Sequence, residues 1–142
     1  MVYALLMLVS GCLIALQSPI NAELSRTVGV VESSLVSFGV GTIALSIAVL
    51  LFGHGHIGRV LECPPWQWLG GIFGAIMVFN TIIAVPQIGV VSTILAMIFG
   101  NLFMAAVIDN YGWFGVPVTP FTLRRMAGFI LVLAGLWCVM RH

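Results

Sequence analysis

The sequence predicts an all-α membrane protein built as one domain of five transmembrane helices over residues 1–142. Composition is the first reason: 61% of the 142 residues are hydrophobic, 6% are charged, and mean hydropathy is +1.21. A soluble domain carries about 25% charged residues, so this chain cannot dress a water-facing surface. Segmentation is the second, because five stretches approach the roughly 20 apolar residues that a bilayer core demands. The third is a polar interruption, Gln17-Ser18-Pro19-Ile20-Asn21-Ala22-Glu23, inside the first stretch.

The first helix is expected over about 2–27. Val2 to Leu16 is almost unbroken apolar sequence, with no basic region ahead of it and no small-residue cleavage site after it. It therefore reads as a retained helix rather than a removed signal peptide. The second is expected over about 31–53, the third over 66–86, the fourth over 89–109 and the fifth over 123–140. Val28-Gly29-Val30 and Gln87-Ile88 are short links, and short links join antiparallel neighbours. Helices 1–2 and 3–4 accordingly read as hairpins with helix 5 appended. Residues 54–65 and 110–122 are longer connections with Gly, Pro and charge. Trp66, Trp68, Trp113 and Phe114 fall at segment ends, where aromatic rings favour the membrane interface. Gly29-Val30-Val31-Glu32-Ser33 is echoed by Gly89-Val90-Val91-Ser92, either by internal duplication or by two hairpins of similar design.

The soluble-enzyme signatures are missing: no Walker loop, no H-E-x-x-H and no G-x-S-x-G occurs. No cofactor or metal is expected, and the protein is not expected to be an enzyme. Gly39-Val40-Gly41 and Gly70-x-x-x-Gly74 suit close helix packing. His54-Gly55-His56 has no third ligand nearby and reads as a solvated loop. Cys12, Cys63 and Cys138 are odd in number and lack C-x-x-C spacing, so no disulfide framework or metal site follows. A net charge of +1 gives no reason to expect a nucleic-acid partner.

The amides carry more information. Gln17 and Asn21 lie four apart, on one helix face, and Pro19 frees the carbonyl near Ala15. Glu23 and Arg26, three apart, form either an interfacial pair or a site where Glu23 carries a proton. At about 1.5 Å per residue, Gln17 lies about 22 Å from the face where helix 1 begins and Asn80 about 21 Å. Helix 2 runs back, which leaves Ser37 about 21 Å from that same face in a core of about 30 Å. Gln17, Asn21, Ser37 and Asn80 are therefore expected to line one polar cavity, with Asn101 somewhat off their level. The competing reading is interhelical hydrogen bonding that glues the bundle, at about 0.6 kcal/mol per contact.

Orientation is nearly balanced. With a cytoplasmic N-terminus, Arg59, Arg124 and Arg125 lie inside and Arg26 and Arg141 outside, a weak bias under the positive-inside rule. Insertion in both directions and a single topology set by Arg124-Arg125 both remain open.

The run Gly11…Gln17-Ser18-Pro19-Ile20-Asn21-Ala22-Glu23-Leu24…Gly29, then Ser34-Leu35-Val36-Ser37-Phe38…Gly41-Thr42, resembles the YdcZ-like family of the drug/metabolite transporter superfamily. Pro86, Gly89, Gly100, Asp109…Gly112, Arg124-Arg125…Gly128…Gly135 extend the resemblance over essentially the whole chain. It implies a half-size, five-helix unit that pairs, often antiparallel, into a complete transporter. It names no substrate. Asn101 departs from the Gln associated with the position after Gly100.

The expectation is a secondary active transporter, an exporter of a small polar or drug-like solute, in a bacterial inner membrane as a multi-pass protein. It would act by alternating access as an antiparallel homodimer or with a homologous half-transporter. Two polar levels about 14 Å apart would then bracket the midplane of a core about 30 Å thick. Gln17, Asn21, Ser37, Asn80 and Asn101 are the substrate-binding candidates, and Glu23 and Asp109 the proton-coupling ones. Its partners would be lipid and a small-molecule substrate. A passive channel and a non-transporting assembly subunit are the alternatives.

Overall fold

The computed structural model describes residues 1–119 and 122–140; Arg141, counted above for orientation, lies outside them. α1 spans Val2–Val28 and α2 Val30–Phe52. Two 3₁₀ turns, Ile57–Glu62 and Pro65–Trp68, lead into α3, Leu69–Tyr111. A further 3₁₀ turn, Trp113–Gly115, precedes α4, Leu123–Met140. No strand occurs among the described residues. Three helical runs, Val2–Val28, Val30–Phe52 and Pro65–Tyr111, are long and apolar enough to cross a membrane.

The elements depart from the expected ends for local reasons. α1 and α2 are separated by Gly29 alone, not by three residues. Its φ of 101° and ψ of 159° belong to a region that side chains other than glycine's avoid, so one residue suffices to break the helix. The third segment starts as a 3₁₀ turn, Pro65–Trp68, with Pro65 in its first turn, where a missing backbone N–H costs nothing. Gln87 and Ile88, expected as a link, are helical. The interruption falls instead at Gly89, with φ 81° and ψ 164°. α3 is thus two helices, each about the length that a bilayer core requires.

Contacts group the chain into two compact units, Met1–Gln87 and the residues from Ile88 on. In the first, α1 packs on α2, and Gly74 of α3 lies against the Phe38 ring, a contact that a small residue permits. In the second, α3 and α4 meet through the edge-to-face pair Phe99–Phe129, with centroids 6.3 Å apart. Arg125 there bonds Asp109 at 3.0 Å. Tyr111 stacks on Trp113 where α3 ends, a placement suited to the interface.

Burial is inverted relative to a soluble protein. Among the described residues the buried apolar side chains are Ala22, Val78, Ile82 and Val85, while Ser18, Asn21, Ser33, Thr81, Ser92 and Thr93 are buried polar ones. Leu, Ile, Val and Phe cover the outside of every helix. Hydrocarbon solvates those faces, whereas polar groups must find partners within the protein.

Burial also repeats at a spacing of 60 residues. Ser18, Asn21, Ala22 and Ser33 are buried, and so are Val78, Thr81, Ile82 and Thr93. Gln17 and Met77 are exposed at the start of each stretch, and Ser37 and Met97 are both half-buried near its end. Gly29 and Gly89 occupy matching places and share one backbone conformation. The sequence echo is therefore the visible part of a longer structural correspondence.

Candidate functional site: a polar cluster between the first two helices

Pro19 lies inside α1 without ending it. Its missing N–H leaves the Ala15 carbonyl without the usual helical donor, and the buried Ser18 hydroxyl donates to the Ile14 carbonyl beside it at 3.0 Å. One turn on, Asn21 is 5% exposed and held twice by α2. Its Nδ2 donates to Ser37 Oγ at 3.1 Å, and its backbone carbonyl accepts from Ser33 Oγ at 2.8 Å. Ser33 and Ser37 are one turn apart, so a single α2 face grips both ends of this residue. Gln17 Nε2 reaches the same Ser37 oxygen at 3.5 Å, at the long limit for a hydrogen bond.

Gln17, Asn21 and Ser37 therefore meet. Gln17 is exposed and Ser37 half-buried, so the cluster opens to the surface of the chain while Asn21 anchors it. Ser37 Oγ receives both amides, leaving its single hydroxyl proton and the amide oxygens to address other groups. The cluster consists of neutral groups throughout, which suits hydrogen-bond recognition of a polar solute.

The other candidates stand apart from this contact network. Asn80 is exposed, and its side chain makes no hydrogen bond among the described residues. Asn101 belongs to the second unit and is likewise exposed without a side-chain hydrogen bond among the described residues. Glu23 pairs with Arg26 at 2.9 Å, and both side chains are well exposed. Asp109 pairs with Arg125 and is about one-third exposed, and its backbone carbonyl accepts the Thr119 amide at 2.9 Å. The Glu23 and Asp109 carboxylates thus each have an arginine partner.

Ser33 escaped the reading of the sequence, although it lies four residues after Gly29, as Thr93 does after Gly89. Cys12, Cys63 and Cys138 are unpaired. The hollows that stand out lie elsewhere. One, of about 320 Å³, is lined by Phe103, Ala106, Val107, Asn110, Tyr111, Met126 and Phe129.

Long apolar helices, an inverted burial pattern and a neutral polar cluster inside a helix pair define a small multi-pass membrane protein. The chain belongs to the YdcZ family of the drug/metabolite transporters, whose model, described as "Putative inner membrane exporter, YdcZ", matches residues 2–138. It is 22% identical over 139 residues to the inner membrane protein YdcZ of Escherichia coli (strain K12), covering 96% of this chain and 93% of that one. No solved structure matches it significantly. Membership makes it a multi-pass protein of the inner membrane in a family of exporters, not of enzymes.

Proposed function

We propose that this chain is the half-size unit of a secondary active exporter that moves a small polar or drug-like solute by alternating access. Gln17, Asn21 and Ser37 bind the solute, and Asn80 and Asn101 make further contacts as it passes. The unit spans the membrane five times, with the two parts of α3 counted separately at Gly89. It pairs with an inverted copy or a homologous half, so that two polar clusters bracket the midplane. Glu23 or Asp109 exchanges its arginine partner for a proton when transport is coupled to a gradient.

One observation carries this reading. The 60-residue correspondence pairs Gln17 with Met77, Asn21 with Thr81 and Ser37 with Met97 at matching burial. The second stretch builds the same helix–glycine–helix backbone without an amide at these positions. Such a backbone thus forms without amides at these positions, and polar groups retained in apolar helices beyond what the backbone needs favour a functional role on top of the stability Asn21 adds.

The experiment grafts the second stretch onto the first: Gln17→Met, Asn21→Thr and Ser37→Met together. Purified protein is reconstituted in liposomes, and uptake of uncharged, cationic and anionic solutes is followed with and without a pH gradient. The graft is expected to stay folded and to lose the flux shown by the unmodified chain. A folded graft that transports at the unmodified rate rules this site out. Flux that neither saturates nor exchanges identifies a channel, and absence of flux from the unmodified chain favours an assembly subunit.

A further inference from the structure

Ser33 is the most thoroughly buried polar residue described, at 0% exposure. Its amide caps the break by donating to the Gly29 carbonyl at 3.0 Å. Its hydroxyl leaves its own helix and donates to the Asn21 carbonyl on α1 at 2.8 Å. Serine and threonine in helices ordinarily return that proton to a carbonyl three or four residues earlier. Ser10, Ser18, Ser34, Thr42, Ser46, Thr81 and Thr93 all do so here. Thr93, the counterpart of Ser33 and also buried, bonds the Gly89 carbonyl at 2.7 Å. A hydroxyl has one proton, so the Ser33 proton is spent across the helix pair where the Thr93 proton is spent within its own helix.

The bond acts on the residue that matters most to the cluster. Asn21 holds Ser37 through its side chain and Ser33 through its backbone, and the two serines sit one turn apart on α2. Together with the one-residue link at Gly29, the bond to the Asn21 carbonyl holds the local placement of α1 on α2, and that placement sets whether the Asn21 amide lies opposite Ser37. A slide of one residue, about 1.5 Å along the axis, would stretch this 3.1 Å cross-helix contact toward the long limit for a hydrogen bond and weaken it.

We infer that Ser33 is a positioning residue for the solute site: through its hydroxyl bond to the Asn21 backbone it holds the Asn21 amide against Ser37. The inference rests on the transport reading for its purpose but not for its geometry. Function then depends on a side chain that never touches the solute.

The test separates those two levels. The protein is labelled with ¹⁵N-asparagine, placed in lipid nanodiscs, and its four asparagine side-chain amides (Asn21, Asn80, Asn101, Asn110) are assigned by single substitutions. Ser33→Ala is expected to shift and broaden the Asn21 amide signal, to speed its hydrogen exchange about fivefold, the worth of one hydrogen bond, and to leave the other three unchanged. Ser33→Thr keeps the hydroxyl and adds one methyl. That variant is expected to restore the signal. An unchanged Asn21 signal in Ser33→Ala overturns the inference, and so does a change that Ser33→Thr fails to reverse, since loss of packing alone would then explain it. In liposomes Ser33→Ala should raise KM about fivefold with kcat little altered. A positive amide result without flux in any variant would count against the transport reading and leave the role of Ser33 in place.

Discussion

Gly29 and Gly89 share one backbone conformation, φ 101° with ψ 159° and φ 81° with ψ 164°, each followed by two valines. A Cβ at Gly29 would press on the Glu32 carboxylate, a mobile group, and one at Gly89 would meet open space. Local crowding therefore contributes little, and the torsions decide. Gly29→Ala and Gly89→Ala should each destabilise by about 1–3 kcal/mol and lower the melting temperature in detergent alike. A neutral Gly89→Ala would show that the two breaks are not equivalent.

Asn21 and Gln17 should part company on substitution. Asn21→Ala removes a buried side chain and strands its Ser37 contact, so a loss of about 1–2 kcal/mol is expected. Gln17→Ala removes an exposed amide with a long contact, and stability should change by less than about 0.5 kcal/mol. Both should lose solute flux. Denaturation in detergent read beside liposome uptake makes the comparison; equal stability losses would contradict the burial difference.

The Asp109–Arg125 pair links α3 to α4 while partly exposed, which limits its worth to about 1 kcal/mol after screening. Asp109→Asn should therefore cost little stability. The exchanged pair, Asp109→Arg with Arg125→Asp, should regain most of that loss. If Asp109 also carries protons, the exchanged pair regains stability but not gradient-driven flux, whereas recovery of both would remove Asp109 from the coupling step.

Cys63 lies exposed between the two 3₁₀ turns that lead into α3. Cys12 and Cys138 sit within apolar helices, where an impermeant reagent has no aqueous approach. An impermeant maleimide applied to spheroplasts should label Cys63 in about half the molecules if the chain inserts in both directions. Labelling of all molecules, or of none until lysis, would eliminate the antiparallel homodimer.

Composition placed this chain in a membrane, and uninterrupted apolar stretches of about 20 residues made it helical, because segments of that length satisfy their backbone within hydrocarbon as helices. Helical spacing placed Gln17 and Asn21 on one face, and the rise per residue brought Ser37 to their level. Tertiary structure decided what a one-dimensional count cannot hold. The breaks fall on single glycines because the torsions there are open to glycine alone, and no hydropathy average senses a torsion. Asn80 shared the estimated depth but stays outside the cluster, since depth fixes one coordinate and leaves rotation about the helix axis free. Ser33 was invisible for the opposite reason: a serine among apolar neighbours looks the same in sequence whether its proton returns to its own helix or crosses to Asn21. Only packing of α1 on α2 makes that choice.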